Sequence, residues 1–158
     1  MYLIKEFQRL KEDENQRMSL AWDLNRTLAK INYRIHTDAI KENIIPPNIT
    51  KEQSQLIYAN EADVLNVAMF GKTALQWRKE SPGKEGNIRD YSSIAQLLVL
   101  ANMESMNAEF IRMNLPQGER LKKLNTIAIT QLKSLTANPH VKKLDDGKKQ
   151  SESQTQIQ

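Results

Sequence analysis

The chain has 158 residues, 39% hydrophobic and 27% charged, with a net charge of +4, five glycines, five prolines and no cysteine. That length predicts one domain around one core, and so little glycine and proline argues for helices over a loop-rich β fold. Charge is spread along the chain without a basic block, no apolar run nears the roughly 20 residues that span a bilayer, and disulfides, thiolate zinc sites and cysteine nucleophiles are excluded.

Leu20, Leu24, Leu28, Ile31 and Ile35 repeat at four, four, three and four residues, which predicts a helix with that stripe toward the core. The pattern reaches back through Leu3, Phe7 and Leu10. Between them, "KEDENQR" (Lys11 to Arg17) has no apolar residue and reads as a solvated helical connector, its mixed charges supporting a bare helix. Helix is therefore expected from Tyr2 to about Ile44, where Pro46 and Pro47 stop it.

Thr50 with Gln53 forms a capping-box pattern that starts a second helix, with Leu56, Ala59 or Asn60, Val64, Val67 and Ala68 as its face and Gly71 as its stop. Thr73 caps a short helix holding Leu75 and Trp77, ended by Ser81 and Pro82. "SIAQLLVLANMESMNAEFIRMN" is the most apolar run and predicts a central helix. Pro116 ends it, and Leu121, Leu124, Ile127 or Ala128, Leu132 and Leu135 mark a last amphipathic helix. From Asn138 onward too few apolar residues remain to offset ordering entropy, so 138–158 is expected as a disordered tail.

The stretch "ESPGKEGNIRDYSS", Glu80 to Ser93, is where local chemistry would sit. It lacks the lysine and hydroxyl residue that follow the last glycine of a phosphate-binding loop, and no strand precedes it. Gly83 and Gly86 read as a chain reversal, and Asp90 with Ser92 and Ser93 as the cap of the following helix. His36 and Asp38 stand two apart on a helix and point in different directions, and His140 falls in the tail. Neither these nor Glu61, Asp63, Glu104 and Glu109 show metal-ligand or acid–base spacing, so no catalytic residue, metal or cofactor is expected. Trp22 and Trp77 read as core or interface anchors, and Met103, Met106 and Met113 as core filler.

Four extended phrases, "YLIKEFQRLKEDE", "LNRTLAKINYRIHTDAIKENIIPP", "YANEADVLNVAMFGKTALQWRKESPGKEGNIRDY" and "LLVLANMESMNAEFI", resemble the region that follows the DNA-binding domain in bacterial and phage-like KilA-N domain proteins. The resemblance spans about Tyr2 to Ser134 and implies that the KilA-N domain itself lies before Tyr2, with "YLIKEFQRLK" as its last helix. Residues 1–17 are then that helix and a connector, 18–137 the helical domain and 138–158 the tail. In the family the loop recurs as "GNIRDY" after a tryptophan-containing helix, which implies a contact surface of Trp77, Arg78, Asn87, Arg89, Asp90 and Tyr91.

The expectation is an all-α fold, a long first helix followed by a bundle of about four more. Its role would be non-enzymatic: oligomerisation or partner binding for a cytoplasmic protein whose full-length form meets DNA, with no membrane and no small-molecule substrate. The alternative is direct nucleic-acid binding through Arg78, Lys79, Lys84, Arg89, Arg120, Lys122 and Lys123. An enzyme built around Gly83 to Tyr91 ranks last.

Overall fold

The apolar periodicities and their caps become six α-helices and one 3₁₀ turn in the computed structural model, which describes residues 2–155 without the side chains of residues 21, 22, 25, 151, 152 and 155. The expected anchor Trp22 thus lies outside the described side chains. Helix α1 runs from Tyr2 to Asn43 without interruption, 42 residues, or about 63 Å at 1.5 Å per residue. It continues through Lys11–Arg17 with every side chain exposed.

Four further helices follow, as the sequence predicts. α2 (Lys51–Phe70) opens on the Thr50–Gln53 capping box and closes on Gly71, whose φ of 72° is open to glycine without strain. α3 (Ala74–Glu80) opens on a second box, Thr73 with Gln76. After the 3₁₀ turn (Ile88–Tyr91), α4 (Ile94–Arg112) opens on a third, Ser93 with Gln96. Asp90 instead closes the box of the 3₁₀ turn, accepting from the Asn87 amide at 2.8 Å, so its expected role as the cap of α4 belongs to Ser93. α5 (Gln117–Thr136) begins after Pro116.

α4 is the central helix. Ten of its residues are buried, and it packs against α1, α2, α5 and α6. Val64, Leu65, Ala68, Val99, Leu100, Met103, Leu124 and Ala128 form one cluster between α2, α4 and α5; Ala39, Ile40, Ala108 and Ile111 form another between α1 and α4. On α2 the expected Val64 and Ala68 are buried, while Leu56, near the start of the helix, is exposed and Glu61 and Leu65 point inward.

Two larger differences concern the ends of the chain. The composition of 138–158 predicts disorder; of that span Pro139–Thr155 forms α6, and 156–158 lie outside the described residues. Asn138 accepts from the His140 amide at 2.9 Å and Pro139 takes the first helical position, where a missing amide costs nothing. Val141 is buried, Asp145 Oδ1 accepts from the Ile94 amide at 2.7 Å, and Lys148 Nζ donates to the Ser92 carbonyl at 2.5 Å. Polar contacts to the free Ile94 amide and to the Ser92 carbonyl, at the start of α4, substitute for the apolar burial this segment lacks.

The second difference is on α1. Its expected core stripe lies outside: Leu20, Leu24, Leu28 and Ile31 are 71, 59, 47 and 48% exposed, and Ile35 alone of the five is half-buried. The face turned to α4 is instead Asn32, His36, Ala39 and Ile40. Apolar periodicity identifies residues that share a face; it does not say what covers it. Asn32 Nδ2 donates to the Ala101 carbonyl at 2.8 Å and His36 meets Asn107, so α1 and α4 run parallel with polar groups satisfied between them.

Candidate functional site

The expected contact residues do come together, around the reversal between α3 and α4. Gly83 and Gly86 both take φ 85°, and a Cβ on Gly86 would collide with the Asp90 carboxylate. The Trp77 and Tyr91 rings stand 5.5 Å apart at 38°. Arg78 lies over the Trp77 ring and donates to the Gly86 carbonyl at 2.5 Å; the Tyr91 hydroxyl donates to the Glu85 carbonyl at 2.9 Å. Lys84 Nζ sits 4.9 Å above the Tyr91 ring. Asn87 Oδ1 accepts from the Arg89 amide at 2.9 Å. Each of these side chains is thus bonded or stacked within the loop, and their geometry is that of a stapled turn.

Arg89 has a second task. Its Nη2 lies 2.8 Å from Oε1 of Glu104, a side chain 1% exposed in the middle of α4. Burial pushes the Glu104 carboxyl above its ordinary pKa, and the Arg89 charge opposes that rise. Arg89 therefore neutralises a buried acid. Arg120, the first basic residue of α5 expected to face nucleic acid, is likewise taken: it is 4% exposed and paired with Glu61. The remaining candidates split. Arg78, Lys79 and Lys84 precede α4 while Lys122 and Lys123 follow it, and the 19 residues of that helix separate its ends by about 27 Å.

Sequence reading passed over the group that joins four helices. Arg120 of α5 grips Glu61 of α2 through Nη1–Oε2 at 2.6 Å and Nη2–Oε1 at 3.0 Å. Its Nη1 also reaches Asn107 Oδ1 of α4 at 3.2 Å, and its Nε donates to the Leu115 carbonyl at 3.1 Å. Asn107 Nδ2 lies 2.8 Å from His36 Nε2 of α1. All four side chains are buried. Burial lowers the His36 pKa to about 4, with Glu61 raising it and Arg89 and Arg120 lowering it, so the ring is neutral at pH 7 and Nε2 accepts from the amide of Asn107. Glu61, Asn107 and Arg120 sit on apolar helices at positions that periodicity alone would hand to the core; polar residues on a buried stripe were the available signal.

The network is closed on itself. Among the described residues no group of three His, Asp or Glu side chains is placed to hold a metal, and no helix is long and apolar enough to cross a membrane. What remains open is the outer face of α1. Besides Leu20, Leu24, Leu28 and Ile31, its first turns expose Leu3 at 82%, Ile4 at 64%, Phe7 at 68% and Leu10 at 57%. A groove of about 300 Å³ lies alongside, between α1 and α4, lined by Leu28, Ala29, Leu97 and Leu98, with Arg26, Asn32, Arg89 and Glu104 also on its walls. No known family, curated protein or solved structure matches the chain.

Proposed function

We propose that the chain is a non-enzymatic helical interaction module, whose working surface is the outer face of α1. One observation carries this: a long helix presents large apolar side chains along its length that its own fold leaves exposed. Apolar surface of that extent is costly in water and marks a place where another protein surface sits. The loop around Trp77 and Arg89 supports the bundle from the other end of α4's first turn rather than offering free groups to a partner. The KilA-N resemblance fits this reading, placing the module behind a DNA-binding domain in a cytoplasmic protein, with α1 as the arm between the two.

The test pairs two measurements on the wild type and on Leu24→Ser/Leu28→Ser: sedimentation velocity for self-association, and capture of cell proteins on the immobilised chain. Association or capture lost in the double variant, with the melting temperature held within a few degrees, supports the module. Binding indifferent to the stripe, or none of either kind, sinks it.

A further inference from the structure

The seam on α1 is complementary to itself, and we infer that its occupant is a second copy of this chain, laid antiparallel along it. This deepens the interaction reading and rests on it. Positions 3, 7, 10, 14, 17, 21, 24 and 28 alternate in steps of four and three, the heptad seam of a two-stranded coiled coil, and the register runs unbroken through the charged connector. The seam is apolar toward its ends, but its two central positions are Glu14 and Arg17.

Those two charges choose the direction. In a parallel pair Glu14 would face Glu14 of the partner subunit and Arg17 would face Arg17 of the partner subunit, two like-charge layers in succession. In an antiparallel pair Glu14 of each copy meets the partner's Arg17, twice by symmetry. The same register sets Phe7 against the partner's Leu24 and Leu3 against the partner's Leu28. The pairing therefore covers the exposed first turns of one copy with the exposed middle of the other. Leu3, 82% exposed here, arrives beside Leu28, 47% exposed, at the mouth of the groove, whose walls carry Leu97 and Leu98 as well as Arg26 and Asn32. α6 borders the central positions: His140, Lys143 and Leu144 line a cavity with Leu10, Glu14 and Arg17, and Lys143 pairs with Glu14 at 3.7 Å, yet the Glu14 side chain stays 64% exposed and open to exchange that partner.

The chain has no cysteine, so introduced thiols read the register directly. Leu3→Cys and Leu28→Cys are made separately, and each alone and their mixture are oxidised at the same concentration. Disulfide dimers in the mixture, and few in either variant alone, are expected. Efficient linkage of Leu3→Cys to itself means a parallel pair and overturns the proposal. Glu14→Arg alone is expected to weaken dimerisation about tenfold or more by setting two arginines against each other, and adding Arg17→Glu should restore it. Failure of the second change to restore what the first removes also overturns the register. A wild-type chain that sediments as a monomer at 100-fold the concentration used for oxidation rules out the second copy as occupant, while stripe-dependent capture of another protein would leave the interaction module standing. Circular dichroism confirms that each exposed-site variant is folded.

Discussion

The two ends of α1 are built in opposite ways. Toward its C-terminal end it turns Asn32 and His36 inward, with His36 3% exposed; toward its N-terminal end it turns Leu3 and Phe7 outward, 82 and 68% exposed. The contrast follows from what each side chain meets. A polar group can be buried where its hydrogen bonds are met inside, as His36 is met by Asn107. An apolar group stays in water where the fold supplies no surface to cover it, and that is a property of the assembly the helix belongs to. One end of α1 is covered by this chain, and the other is left exposed by it.

The sharpest way to break the inner half is to remove one member of its charge pair. Arg120→Met leaves Glu61 buried without its bidentate partner, which is expected to cost about 3 to 5 kcal/mol in chemical denaturation. Glu61→Leu together with Arg120→Met should recover most of that, since two apolar residues replace a pair whose desolvation already offset much of its attraction. If the double variant is as unstable as the single, the network holds the helices in a way that apolar packing cannot replace.

Acid probes the same group through His36. The unfolded chain takes up this proton near pH 6.5 and the folded chain near pH 4, so between those values the unfolded state binds more protons and stability falls as pH falls. The contribution is fully present above pH 6.5 and is lost toward pH 4, at most roughly 3 kcal/mol at about 1.4 kcal/mol per unit. Glu104 runs the other way: its raised pKa favours the folded state below the ordinary carboxylate range, a contribution lost as pH rises through the folded value. His36→Gln should flatten the melting-temperature profile between pH 4 and 6.5, leaving the opposite slope of Glu104; an unchanged profile would place the acid sensitivity elsewhere.

Arg89→Ala is expected to cost less, about 1 to 3 kcal/mol, because the stranded Glu104 carboxylate can take up a proton. The loss should be larger at pH 7 than at pH 5, where protonation is easier. Equal losses at both would mean that Arg89 stabilises through the turn and not through Glu104. A contact role alone would leave stability untouched, so this variant also separates the stapled turn from a partner surface.

How much of this was readable beforehand depends on which physics each residue obeys. Thr50, Gly71, Thr73 and Ser93 act through the backbone beside them, so the helix boundaries and the all-α class were visible in short local patterns. Asp145 acts 51 residues away, on the Ile94 amide, and nothing in "NPHVKKLDD" indicates that partner. The segment 138–158 therefore read as a tail. Asp145→Ala should cost about 0.5 to 2 kcal/mol, the usual value of a lost helix-start cap; no loss would return α6 to the margin of the fold. Arg89 and Glu104, and Glu61 and Arg120, are likewise pairs made only by tertiary packing. The stripe on α1 misled for the opposite reason: its periodicity was correct and its partner was assumed.

The smallest expected effect on stability decides the most about function. Phe7→Ser removes an aromatic ring that is 68% exposed and belongs to neither core cluster, so the isolated chain should lose no more than about 0.5 kcal/mol. At dilution, wild type and variant should melt together. At concentrations where α1 is covered, they should part, because only the wild type then gains the mass-action stabilisation that an associated state supplies. The measurement is the melting temperature of both proteins across a hundredfold dilution series. Curves that separate with concentration assign Phe7 to the covered face. Curves that differ by the same amount throughout make Phe7 part of the monomer's own stability, and the division of α1 into a covered half and an open half fails at that ring.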